Sequence, residues 1–134
     1  MADILIIDDD LDYLESFAEV LGAWGHTVHT AAGGEEGLAI LRDHLPDMVF
    51  LDVDMPLTSG PDVAWRMCVE NLGKELIPIL FVSANPDLKR IAVAVGTKYF
   101  VGKPFDLRHL SALIDQIMAE RTPPAWPAQQ EQPQ

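Results

Sequence analysis

Short apolar runs in this chain end at polar side chains of the kinds that bind a metal ion and a phosphoryl group. Asp8 and Asp9 follow the first run, Asp52 the third, Ser83 the fourth, and Lys103 comes just after the fifth. If these runs are parallel strands of one sheet, their carboxyl ends lie at one edge and bring these groups together. Mg²⁺ prefers carboxylate oxygens, and an ammonium group neutralises phosphoryl oxygens. The pattern therefore predicts a site for metal-assisted phosphoryl chemistry.

The apolar runs and the segments between them indicate the elements that position these side chains. Continuous apolar character in the first, third and fourth runs is typical of strands buried on both faces of a parallel sheet. The runs cover 4–7, a stretch around Val28, 48–51, 79–82 and 99–101. Helix-length segments lie at about 10–24, 35–44, 61–72, 86–95 and 107–121. This alternation predicts an α/β fold, a doubly wound five-stranded parallel sheet with helices on both faces.

Length and charge narrow the class of protein. A chain of 134 residues corresponds to one domain, here 1–121, and the Pro- and Gln-rich segment 122–134 has the composition of a disordered tail or linker. The net charge of −12 disfavours direct binding to nucleic acid and to anionic membranes, because both would repel the protein. Carboxylates crowded into 8–12 and 52–54 cost free energy unless a cation joins them.

The remaining composition favours a cytoplasmic protein. No stretch is long and apolar enough to span a membrane, and the first residues lack the basic and apolar regions of a secretory signal. Cys68 is the single cysteine, which excludes an internal disulfide and fits a reducing compartment. The histidines show no ligand spacing and no motif partner, so we expect surface or packing roles for His26, His29, His44 and His109.

The order of the polar groups resembles the receiver domain of bacterial response regulators. The matching motifs are Asp8-Asp9, Asp52-Val53-Asp54-Met55-Pro56, Ser83-Ala84 and Lys103-Pro104-Phe105, each after a predicted strand. Each motif alone is common, but four in this order at receiver-like spacing are highly specific. The resemblance covers about residues 2–121 and implies the flavodoxin-like strand order 2-1-3-4-5.

The resemblance implies a Mg²⁺ site built from four aspartates. Asp9 and Asp52 would bind the ion directly. Asp8 would act mostly through water, and Asp54 would contribute its backbone carbonyl.

The resemblance also implies the phosphoryl chemistry. Asp52 would be the phosphoacceptor, receiving a phosphoryl group from a histidine kinase or a phosphotransfer protein. Ser83 would donate a hydrogen bond to a phosphoryl oxygen, and Lys103 would neutralise oxygen charge. The Lys103–Pro104 peptide bond would be cis. Such a receiver is not an enzyme in the usual sense, since it loses its own phosphoryl group only slowly.

In receivers, phosphorylation reshapes a face made of helix 4, strand 5 and helix 5. By position, Ser83 and Phe100 would be the switch residues, although Tyr99 lies beside Phe100 and both rings could simply pack. The switched face would bind a downstream protein, a fused output domain or a second copy of the chain. Whether the chain is a stand-alone receiver or a part of a longer regulator stays open.

An enzyme of a different class is the alternative interpretation. Haloacid-dehalogenase-type phosphohydrolases also use an Asp-x-Asp pattern after a strand, and Asp52 and Asp54 match it. In that family the pattern follows the first strand, with Thr or Val where this chain has Pro56. Asp8 and Asp9 would also have no role in that enzyme. A scaffold with an inert site is the third interpretation.

Overall fold

The computed structural model describes residues 1–70 and 72–125, and within them the chain forms one parallel sheet with helices on both faces. The strands are β1 (Asp3–Ile7), β2 (Thr27–Ala31), β3 (Met48–Leu51), β4 (Ile79–Ser83) and β5 (Tyr99–Gly102). They lie in the order β2-β1-β3-β4-β5, and every neighbouring pair is parallel. The predicted fold class and strand order are therefore confirmed.

The predicted helices are present, with ends shifted by a few residues. They are α1 (Leu11–Ala23), α2 (Gly34–Asp43), α3 (Gly60–Glu70), α4 (Leu88–Val95) and α5 (Leu107–Glu120), and a 3-10 turn spans Lys74–Leu76. Asp10 caps α1, because its side chain accepts the backbone N–H of Tyr13 at 3.1 Å. No described helix has the length and apolar character that a membrane span requires.

The sheet is buried on both faces because successive residues of each strand point to opposite sides. Leu5 and Ile7 pack with α2, α3 and α4, whereas Ile4 and Ile6 pack with α1 and α5. All four side chains are at most 2% exposed, which explains why this strand reads as an uninterrupted apolar run.

The strand order reverses at the pair β1 and β3, which lie side by side in the sheet. β1 connects to β2 on one side, and the chain then returns past β1 to build β3, β4 and β5 on the other side. Loops after the two strands at such a reversal diverge and leave a crevice beyond their carboxyl ends. The fold therefore places the Asp8 and Asp52 loops next to each other at this crevice.

The first residues of the predicted tail lie against the domain. Pro124 is buried, and the backbone N–H of Ala125 donates to the carbonyl of Gly96 at 3.0 Å. The rest of that segment, 126–134 with Trp126, lies outside the described residues. The boundary between a 1–121 domain and a 122–134 tail stays a prediction.

Candidate metal and phosphoryl site

Three carboxylates meet at the carboxyl edge of the sheet. Asp8, Asp9 and Asp52 each place an oxygen within 4.8 Å of the others, and we call this group the acidic pocket. The parallel ladder continues past the strand ends, because Asp8 N–H donates to the Ala31 carbonyl and Asp52 N–H donates to the Ile7 carbonyl, both at 3.1 Å. Backbone hydrogen bonds thus hold the two inner aspartates in place, with Asp8 2% and Asp52 9% exposed.

Lys103 supplies the cation beside these carboxylates. Its Nζ donates to Asp8 Oδ2 at 2.8 Å and lies 3.9 Å from Asp52 Oδ2. The backbone N–H of Lys103 donates to the Ser83 carbonyl at 2.9 Å, which continues the β4–β5 pairing. The Lys103–Pro104 peptide bond is cis, as predicted.

Ser83 ends β4 at the same edge. Its side chain is buried, and its Oγ accepts the backbone N–H of Asn85 at 3.1 Å. The side chain of Asn85 in turn donates from Nδ2 to both carboxylate oxygens of Asp54, at 3.1 and 3.3 Å. The exposed Asp54 carboxylate is therefore tied to the loop after β4, while the acidic pocket is formed by the other three aspartates.

Burial controls the protonation of Asp52. Desolvation raises the pKa of its carboxyl, the nearby Lys103 ammonium lowers this pKa, and the neighbouring Asp8 raises it. A hydrogen bond from the Ser83 side chain lowers the pKa further. On balance the pKa of Asp52 lies above the ordinary carboxyl value, so burying its charged form costs free energy that the lysine does not fully offset. A divalent cation would relieve this cost.

Tyr13 is a part of the site that the sequence patterns did not reveal. Its ring covers the ammonium of Lys103, with Nζ 4.0 Å from the ring centroid, and it also packs on Phe17. Burial raises the pKa of the Tyr13 hydroxyl, and the negative charges of Asp8 and Asp52 raise it further. The available signal was its position in the first turn of α1, four residues after Asp9.

Gly60 closes the loop after β3 against Asp52 and was also missed. Its N–H donates to the Val53 carbonyl at 2.9 Å, and a Cβ at this position would overlap the carbonyl oxygen of Asp52. Only glycine allows the start of α3 to approach the phosphoacceptor candidate so closely. The signal in the sequence was a glycine directly before the Pro61 that predicts the helix start.

We expect Gly60→Ala to lower the free energy of unfolding by about 1–3 kcal/mol, because the methyl group must displace backbone atoms. Gly22→Ala is the matched control, since nothing lies within 4 Å of its Cβ position in α1. This control should gain up to about 1 kcal/mol from reduced chain entropy. Urea unfolding followed by circular dichroism measures both changes, and equal midpoints for the two variants would contradict the close approach.

The two neighbouring aromatic rings of β5 face opposite sides of the sheet. Phe100 is partly buried against the α2–α4 side, beside Phe81 of β4 in register. Tyr99 is fully buried on the α1–α5 side, and its hydroxyl donates to Glu120 Oε1 at 2.7 Å. Phe100 shares the face of Ser83 because the register sets it opposite Phe81, two residues before Ser83.

Two of the four histidines lie beside the carboxylate of Asp3. His29 and His44 gather around Asp3 with Nε2–carboxylate distances of 3.4 and 2.8 Å. This group, which we call the histidine cluster, lies at the amino edge of the sheet, opposite the acidic pocket. The sequence shows no ligand spacing for these histidines, because the side chains that meet here come from three separate elements.

The fold and the acidic edge together define the class of protein. A model of the response regulator receiver domain matches residues 4–115, so the chain belongs to this family. The Asp52-Val53-Asp54 motif, which a haloacid-dehalogenase-type enzyme would carry after its first strand, follows the third strand here, β3. The family match also favours the receiver interpretation over that enzyme.

Among curated proteins, the chain is similar to the transcriptional regulatory protein AfsQ1 of Streptomyces coelicolor, with 35% identity over 121 residues. That alignment covers 88% of this chain and 52% of AfsQ1. The chain spans about half the length of the curated relatives it matches.

Solved receiver structures share the fold along nearly their whole length. The chemotaxis protein CheY4 of Vibrio cholerae has a TM-score of 0.78 at 28% identity, covering 87% of this chain and 98% of that chain. The response regulator TrrA of Thermotoga maritima, solved in complex with Mg²⁺-BeF, has a TM-score of 0.76 at 27% identity, covering 87% of this chain and 99% of that chain.

Proposed function

We propose that this chain is a phosphoacceptor receiver, which takes a phosphoryl group on Asp52 from a histidine kinase or a phosphotransfer protein. The observation that carries the proposal is the position of Lys103. Its Nζ lies 2.8 Å from Asp8 and 3.9 Å from Asp52, beside three clustered carboxylates. A nucleophilic carboxylate and a cation on the same side are what phosphoryl transfer to an aspartate requires.

The acidic pocket fits Mg²⁺. Ligands around an octahedral Mg²⁺ are separated by about 3–4.2 Å, given metal–oxygen distances of about 2.1 Å. Oxygens of Asp8, Asp9 and Asp52 lie within 4.8 Å of one another, so small side-chain rotations bring them into range. The backbone carbonyl of Asp54 and water would complete the coordination. Bound Mg²⁺ would supply charge neutralisation to the phosphoryl oxygens.

The residues of the chain would then perform the transfer. An Asp52 carboxylate oxygen attacks phosphorus, the bond between phosphorus and the donor imidazole nitrogen breaks, and the electron pair stays on that imidazole. Lys103 neutralises charge on the phosphoryl oxygens, and the Ser83 hydroxyl exchanges its present contacts for a hydrogen bond to one of them. Phosphoryl loss to water would be slow, so we do not assign enzymatic turnover.

The switch would run from Ser83 to Phe100. Both side chains lie on the α4 side of the sheet, and Phe100 is only partly buried there. Movement of Ser83 toward the phosphoryl group would open space in which Phe100 can turn inward. Phe100 has no hydroxyl, so burial alone would stabilise the inward state. The changed face of α4, β5 and α5 would bind a downstream protein, a fused output domain or a second copy of the chain.

The experiment for this proposal is incubation with acetyl phosphate and Mg²⁺, followed by intact mass spectrometry. A receiver gains one phosphoryl group per chain, whereas a phosphohydrolase would turn over an aryl phosphate many times. Absence of a mass change together with aryl phosphate turnover would contradict the receiver proposal and support the phosphohydrolase interpretation. A stable mass gain without turnover would support the receiver.

Magnesium should stabilise the folded protein. At a free Mg²⁺ concentration ten times the Kd, selective binding to the folded state adds about 1.4 kcal/mol, which raises the melting temperature by several degrees. Asp9→Asn should remove most of the shift. Asp115→Asn is the control, since this exposed aspartate lies on α5, outside the acidic pocket. Identical melting curves in Mg²⁺ and in chelator would contradict the metal site.

A further inference from the structure

The histidine cluster brings together three metal-ligating side chains from three elements. Asp3 begins β1, His29 lies in β2, and His44 follows the last residue of α2. One ligand atom from each lies within 4.8 Å of the others. The parallel register of β1 and β2 sets Asp3 opposite Thr27, so Asp3 and His29 point to the same face, over which α2 packs.

Two of these atoms are buried without hydrogen bonds. Asp3 Oδ1 and His29 Nε2 have no hydrogen-bond partner among residues 1–70 and 72–125, although they lie only 3.4 Å apart. Buried polar atoms in native proteins are nearly always hydrogen-bonded, and an ion bound to both of these atoms would satisfy them. A separation of about 3.4 Å is the distance between two ligands on a tetrahedral ion with bonds of about 2.1 Å.

The surroundings hold the cluster in place. The backbone of Asp3 is fixed on both sides by Asp47, whose Oδ2 accepts the Asp3 N–H at 2.8 Å and whose N–H donates to the Asp3 carbonyl at 2.7 Å. His44 caps the carboxyl end of α2, where the helix dipole favours a cation. The rings of His29 and His44 already pack together at a tilt of 53°, with centroids 4.5 Å apart.

We propose that Asp3, His29 and His44 form a binding site for a divalent transition-metal ion of the zinc type. Two imidazole nitrogens and one carboxylate oxygen suit such an ion, whereas Mg²⁺ avoids imidazole. His44 Nε2 lies 2.8 Å from Asp3 Oδ2, so a bound ion would take the place of this direct contact. The side chains as a whole are 30–38% exposed, so solvent water would supply the remaining ligand.

This site is separate from the proposed Mg²⁺ site. Asp3 begins β1 and Asp8 directly follows it, five positions on, which corresponds to roughly 16 Å along an extended strand. The two sites can therefore be occupied at the same time. Their different ligand chemistry also lets each be filled independently.

Isothermal titration of the full chain with Zn²⁺, in saturating Mg²⁺ that fills the acidic pocket, tests the proposal. We expect one Zn²⁺ per chain, and Co²⁺ in its place should give the visible absorption of a four- or five-coordinate ion with nitrogen ligands. His44→Gln and His29→Gln should each weaken Zn²⁺ binding by on the order of 100-fold. Loss of a residue that only hydrogen-bonds to a metal ligand already costs about 10–100-fold in affinity, and loss of a ligand should cost at least as much.

His109→Gln is the matched control, because this exposed histidine lies on α5, outside the cluster. Circular dichroism melting of each variant without metal shows whether it is folded, and Asp3→Asn provides a third ligand variant if a histidine variant unfolds. Failure to bind Zn²⁺ would overturn the site. Binding that survives in the folded His29 and His44 variants, or that Asp9→Asn alone removes, would also overturn it.

Discussion

Replacing Asp52 by Asn is expected to abolish the gain of a phosphoryl group from acetyl phosphate. The amide keeps the shape of the side chain but removes the nucleophilic oxygen charge, so no acyl phosphate forms. Intact mass spectrometry after incubation with Mg²⁺ and acetyl phosphate measures the result. The wild-type chain should show a single phosphorylated species, and the Asp52→Asn chain should show none.

Asp54→Asn is the matched control for this loss. Asp54 is two residues away, but its exposed carboxylate bonds to Asn85 and lies outside the acidic pocket. The variant should still be phosphorylated, since the proposed contribution of Asp54 to the metal is its backbone carbonyl. Under the phosphohydrolase interpretation, Asp54 would be the acid and its loss would stop the reaction. Persistent phosphorylation of Asp52→Asn would reject Asp52 as the acceptor.

The same Asp52 variant should be more stable than the wild type when metal is absent. Burial is the main cause that raises the pKa of Asp52, so folding favours its protonated form. Below the ordinary carboxyl pKa, Asp52 is protonated in both states and does not lower the free energy of unfolding. As the pH rises from that value through the higher folded-state pKa, the charged Asp52 progressively destabilises the fold. At pH 7 in chelator, Asp52→Asn should therefore melt at a higher temperature than wild type. This increase would also show that the variant is folded.

Replacing Lys103 by Met is expected to lower the rate of phosphorylation by roughly 10²–10³-fold. Lys103 Nζ is the cation nearest to Asp52 in the pocket, at 3.9 Å, and the methionine side chain has similar length without the charge. The phosphoryl oxygens would then lose one of the two cations that neutralise them, the other being Mg²⁺. The rate is measured from the time course of phosphorylation at fixed acetyl phosphate and Mg²⁺.

The binding of Mg²⁺ should respond differently in the Lys103→Met variant. Lys103 occupies Asp8 Oδ2 at 2.8 Å, so its removal frees that carboxylate for the metal. We therefore expect equal or tighter Mg²⁺ binding together with slower phosphorylation. Lys98→Met is the control, because Lys98 pairs with Glu120 and lies outside the site. Phosphorylation of the Lys103→Met variant at the wild-type rate would contradict the proposed role of Lys103 in neutralising the phosphoryl oxygens.

The element pattern could be predicted from the sequence because it depends on short-range properties. Ile4 to Ile7 form an apolar run since both faces of β1 are covered, and this burial is visible in the residue types themselves. The cap at Asp10 and the helix end before Gly25 follow from local backbone chemistry in the same way. The 3-10 turn at Lys74–Leu76 was not predicted, because three residues give no periodicity.

The candidate site was predictable only in part. The sequence could predict that five side chains lie together, because parallel strands bring their carboxyl ends to one edge whatever the details of packing; these are Asp8, Asp9, Asp52, Ser83 and Lys103. The backbone conformation of Leu57, in the loop after β3, could not be predicted from the positions of the strand ends. This residue adopts φ 71° and is fully exposed, and no sequence pattern predicts a left-handed leucine.

The sequence by itself determined which side chains end each strand, and hence the class of fold and the chemistry available to it. The three-dimensional arrangement alone decided which distant residues touch. Lys103 bonds to Asp8 across 95 positions, Tyr13 covers that lysine, and two unremarkable histidines join Asp3. The physical reason is that apolar patterns record whether a residue is buried, whereas contacts depend on strand register and on the placement of helices over the sheet.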